Sequence, residues 1–99
     1  MDMWASFELW IGSAQVKRRK TVVSQGSGTR LVAVALARDK DDFASKVTDA
    51  CYEQGLDVMS VGEIELYENR LRRGGLEEEV QQKATALTAD EPIGLCLFD

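Results

Sequence analysis

Residues 31–37 read Leu-Val-Ala-Val-Ala-Leu-Ala, seven apolar residues with no polar interruption. At the two-residue period of a β-strand, Val32, Val34 and Leu36 point to one side, and Leu31, Ala33, Ala35 and Ala37 to the other. A strand that is apolar on both sides has to be covered on both sides, so it belongs inside a sheet. The stretch Ile93 to Phe98 (IGLCLF) has the same character and opens directly after Pro92. Any fold for this chain must find cover for both faces of both strands.

The opening MDMWASFELWIG raises the same demand. With a period of two, Met3, Ala5, Phe7, Leu9 and Ile11 form one face, while Trp4, Ser6, Glu8, Trp10 and Gly12 form the other. A strand over residues 3–11 with its odd face on the core turns both tryptophans away from that core. The basic stretch that follows reads as a connection, then a short extended piece at Thr21 to Ser24. A Gly/Ser turn, QGSG, then makes a hairpin with residues 30–37.

Helical punctuation comes next. Asp39 is placed to cap a helix, with Asp41 and Asp42 near the positive end of its dipole. Phe43, Val47, Ala50 and Cys51 recur at helical spacing and form one apolar stripe. Gly55 ends the helix in a left-handed conformation, with Leu56 folding back toward Cys51. Residues 57–67 read as a strand, with Val58, Ile64 and Leu66 on one face, Met59, Val61 and Tyr67 on the other, and Gly62 marking a bulge. A second helix is expected from Leu76 to Leu87, with Leu76, Val80, Ala84 and Leu87 inward and Glu77, Glu78 and Glu79 at its N-terminus.

The 99 residues are one domain's worth. The order β-β-α-β-α-β predicts an α+β two-layer sandwich: a mixed four- or five-stranded sheet with two helices mainly on one face. The other face then carries Trp4, Trp10, Val32, Val34, Met59, Val61, Tyr67 and Phe98, a patch larger than soluble monomers expose. Tryptophan and tyrosine are enriched at the energetic centres of interfaces. The expected cover is a protein partner or the chain itself, as a homodimer or a larger oligomer. The alternative is that these side chains are ordinary core, covered by a helix or by residues 12–29.

The chain has no histidine, which removes the usual general base near neutral pH and the commonest metal ligand. Cys51 and Cys96 sit within apolar runs, not at metal-binding spacing, and read as small buried hydrophobes. Capping accounts for Asp39, Asp41 and Asp42, since the calcium-loop spacing is absent. Glu63 and Glu65 are close enough to cooperate in acid–base work, but a polar strand accounts for them too. No catalytic residue, cofactor or metal is expected.

The formal net charge of −5 opposes general affinity for nucleic acid or anionic membrane. No segment is long and apolar enough to span a bilayer, and the first residues lack the plan of a signal peptide. With two unpatterned cysteines, these features lead to a cytoplasmic expectation. Two basic clusters stand against the acidic background: Lys17, Arg18, Arg19 and Lys20, and Arg70, Arg72 and Arg73. The reading is a small non-catalytic interaction module of the cytoplasm, an immunity-type inhibitor that neutralises a toxin being one concrete version. The alternative is a domain that binds a small anionic ligand through Lys17, Arg18, Arg19, Arg30, Arg70, Arg72 and Arg73.

Overall fold

The computed structural model describes residues 7–18, 29–88 and 90–98. Strands β1 (Glu8–Arg18) and β2 (Thr29–Ala37) are followed by helix α1 (Lys40–Glu53) and strand β3 (Leu56–Leu66). Helices α2 (Tyr67–Arg73) and α3 (Glu78–Thr85) then lead to strand β4 (Ile93–Phe98). The four strands lie in the order β3-β1-β2-β4, and every neighbouring pair is antiparallel. The class is α+β, as expected. The sheet is antiparallel throughout the described residues, not mixed, because β1 lies between β2 and β3 and opposes both.

The helices divide between the two faces of the sheet, where the sequence led us to expect two mainly on one. Phe43, Val47 and Cys51 of α1 pack on Ala14, Val16, Leu31, Ala33 and Ala35. Tyr67 of α2 and Val80 and Ala84 of α3 pack on Ile11, Val32, Val34 and Cys96. Adjacent strand residues point to opposite faces, so the two clusters lie on opposite sides of the sheet. Chain direction is the reason. The connection from β2 to β3 crosses β1 in one direction over one face, and the return from β3 to β4 runs the other way over the other face. The doubly apolar β2 is thereby covered twice, its residues Leu31 to Ala35 all buried.

Local chemistry explains the elements. Asp39 accepts the Asp42 backbone N–H at 2.8 Å, while Asp42 accepts the Arg38 N–H at 2.9 Å, so the two carboxylates close the first turn of α1. Gly55 has φ 81°, and Leu56 and Cys51 share one cluster, as the expected stop signal requires. Beside Gly62 the β1–β3 register slips by one residue, and Glu63 adopts φ 53°. The first strand begins at Glu8 and continues to Arg18, through residues expected to be a connection. Gly12, Ala14 and Val16 are buried there while Gln15 and Lys17 are exposed, a half-buried alternation. Trp4, the extended piece at residues 21–24 and the QGSG turn lie outside the described residues.

Gly12 is a point of close approach. A Cβ at this position would meet Phe43 Cε2 at 2.8 Å, Ile64 Cγ1 at 3.2 Å and the Gly62 carbonyl at 3.3 Å. The bare backbone therefore lets the largest fully buried side chain of α1 rest directly on β1.

Candidate functional site

The expected interface residues do not share one face. Trp10 is half-buried on the α1 side, packed on that cluster, and donates its indole N–H to the Ala37 carbonyl at 3.0 Å. Val61 is half-buried against the same cluster. Val32, Val34 and Tyr67 are buried on the opposite side beneath α2 and α3, with Phe98 at the margin. Met59 is 64% exposed on β3. The reason is the split of the helices, which supplies the cover that a one-sided arrangement would have lacked.

The second basic cluster is largely neutralised within the chain. Arg73 bonds Glu65 with both terminal nitrogens, and Arg70 Nη1 adds a contact at 3.4 Å. These arginines hold the Glu65 carboxyl below its ordinary value, the Arg73 hydrogen bond contributing most. Arg72 lies 3.6 Å from Glu68, one turn away on α2. Glu63 accepts the Ser13 hydroxyl at 2.6 Å, so the two strand carboxylates are each engaged separately. Lys17 and Arg18 are exposed at the end of β1, Arg30 lies over the Phe98 ring at 5.9 Å, and Arg19 is outside the described residues. The described basic residues of the two clusters therefore do not gather into one pocket.

Among the described residues, the fold leaves one regular sheet edge open. The sheet ends on β3 at one side and on β4 at the other. Strand β3 is blunted as a template by its two register shifts and by Asp57, Glu63 and Glu65. Strand β4 has neither device: its pairing with β2 is regular over all six residues, none of them charged. The Leu36 N–H donates to the Pro92 carbonyl at 2.9 Å. By antiparallel alternation, residues 92, 94, 96 and 98 then turn their backbone groups toward β2. Ile93, Leu95 and Leu97 turn their N–H and C=O groups outward along the free edge.

The same three residues carry side chains on the α1 face. Helix α1 packs mainly on β3 and β2 and only touches the near side of β4. A cleft of about 580 Å³ remains beside it, floored by Leu31, Ile93, Leu95 and Leu97 and walled by Ala50 and Leu56. Ile93 and Leu95 are half-buried, and Leu97 is 43% exposed. Arg18, Glu53, Asp90 and Glu91 stand around the rim, and Lys83 reaches it from the α3 side across Gly94. Backbone hydrogen-bonding capacity and an apolar row thus coincide on one short strand. The sequence marked β4 as apolar on both faces, but its edge position depends on the strand order.

Burial pushes both thiols up from their ordinary range, for Cys51 beneath α1 and for Cys96 beneath α3. Among the described residues no three of Asp, Glu, Cys or His are grouped to hold a metal ion, and no helix is long and apolar enough to cross a membrane. Comparison with protein-family models, with characterised proteins and with solved structures found no match.

Proposed function

We propose that this protein is a protein–protein interaction module that engages its partner by adding a strand at the β4 edge. One observation carries the reading: Ile93, Leu95 and Leu97 present an edge unpaired among the described residues together with their apolar side chains. In strand addition, main-chain hydrogen bonds supply affinity and pockets for alternate side chains supply selectivity. The cleft beside α1 is such a pocket, placed where the side chains of an added strand would reach. The interaction reading from the sequence is kept, but it moves from an open sheet face to a sheet edge.

The test uses a soluble peptide carrying residues 92–98 flanked by lysines, with a scrambled peptide as control. A ligand of the folded state raises the melting temperature. The expected result is a concentration-dependent rise with the native order, absent with the scrambled order and diminished in Leu97→Lys. Equal shifts from both peptides, or none from either, would overturn the reading.

A further inference from the structure

We infer that the partner strand is β4 of a second copy, so that two chains join edge to edge into one eight-stranded antiparallel sheet. The inference rests on the strand-addition reading and adds the partner and the register. Ile93, Leu95 and Leu97 are the outward-turned residues. A twofold axis through Leu95 brings Leu95 opposite its own copy and Ile93 opposite Leu97. All six outward backbone groups of each edge then find partners. The apolar rows of the two copies lie together on the α1 face, and no charged residue is present in β4 to oppose them.

Charges on the other face make this register self-complementary. Lys83 of α3 lies against Gly94: its Cβ would be 3.2 Å from a Cβ built there. Glu79, one turn earlier on the same side of α3, lies beside Cys96, whose Sγ is 4.0 Å from the Glu79 carbonyl. The twofold sets Gly94 opposite Cys96 of the second copy. Lys83 of each copy therefore faces Glu79 of the other, giving two opposite-charge pairs across the junction. Both residues are exposed within one chain. Pairing the same edges in parallel would turn the second copy over and put its α3 on the opposite face, so no Lys83–Glu79 pair would form. The charges thus select the antiparallel arrangement.

Light scattering of the purified chain reads the assembly directly. The expected mass is twice the 11.0 kDa of one chain. Lys83→Glu should weaken association by about tenfold, and the double exchange Lys83→Glu with Glu79→Lys should restore it. Leu95→Cys gives the register. In this arrangement the two Cα atoms lie about 5.5 Å apart, inside the disulfide range, so mild oxidation should yield a covalent dimer. Met59→Cys on the opposite edge should not. A dimer that cross-links through Met59→Cys but not Leu95→Cys overturns the inference. So does a single-chain mass at all concentrations; if the lysine-flanked peptide still binds in that case, strand addition stands and only self-pairing falls. A single-chain mass with no peptide binding removes both.

Discussion

Arg73 holds Glu65 with both terminal nitrogens: Nη1 reaches Oε1 at 2.5 Å and Nη2 reaches Oε2 at 2.7 Å. This fork ties the last turn of α2 back to the end of β3, beside the point where the strand becomes a helix. It also explains why the Arg70 to Arg73 stretch is not a free anion site. Glu65→Gln should lower the melting temperature by a few degrees, with the difference shrinking in high salt because Arg73 is largely exposed. A difference that does not respond to salt would count against the ion pair.

The acid limb of stability follows from two carboxylates. Glu65 is held below its ordinary 4.5 by Arg73, and Asp42 below its ordinary 3.8 chiefly by the Arg38 backbone N–H. A depressed folded value favours the ionised form, so the stabilisation is complete above the ordinary values. It is lost as the pH falls through the lower folded ones. Chemical denaturation should therefore show stability flat from neutral pH down to about 5 and declining below about 4. The decline should be shallower in Glu65→Gln. An identical acid limb in that variant would contradict the assignment.

Gly12→Ala tests the approach of α1 to the sheet. The new methyl meets Phe43 at 2.8 Å, and it is flanked by Ile64 and the Gly62 carbonyl, so no open side remains for it. Overpacking of this kind costs about 1–3 kcal/mol. A variant as stable as the parent in urea would mean that α1 does not bear on β1 at this point.

Cys51 and Cys96 are 0% and 2% exposed, and desolvation raises both thiols. A coloured disulfide reagent at neutral pH should leave both unmodified in the native protein and label two thiols per chain in denaturant. Rapid labelling of native Cys96 would show that α3 does not stay closed over β4.

Much of the local structure was legible in the residues, and the failures have a common cause. Asp39 announced its cap, Gly55 its stop and Gly62 its bulge, because each depends on backbone chemistry within a few positions. The alternation of Gly12, Ala14 and Val16 with Ser13, Gln15 and Lys17 was equally local. The charges of residues 17–20 mask it, so residues 13–18 resemble a connection although they form the second half of β1. Helix α2 leaves little periodic signal, because it is only seven residues long and its apolar positions are few. The sides taken by the helices, and the exposure of one edge of β4, depend on β1 lying between β2 and β3. That is a long-range pairing which periodicity cannot carry. Trp10 shows the effect: its place opposite the odd face was correct, but α1 lies on that side.

Hydrogen exchange at the Leu95 amide tests the central claim most directly. This N–H points away from β2, and among the described residues no strand pairs with β4 on that side. With the lysine-flanked peptide of residues 92–98 in excess, the account predicts that Ile93, Leu95 and Leu97 exchange slowly, approaching the interior amides of β2. Unprotected exchange at all three, while β2 stays slow, would contradict strand addition at this edge.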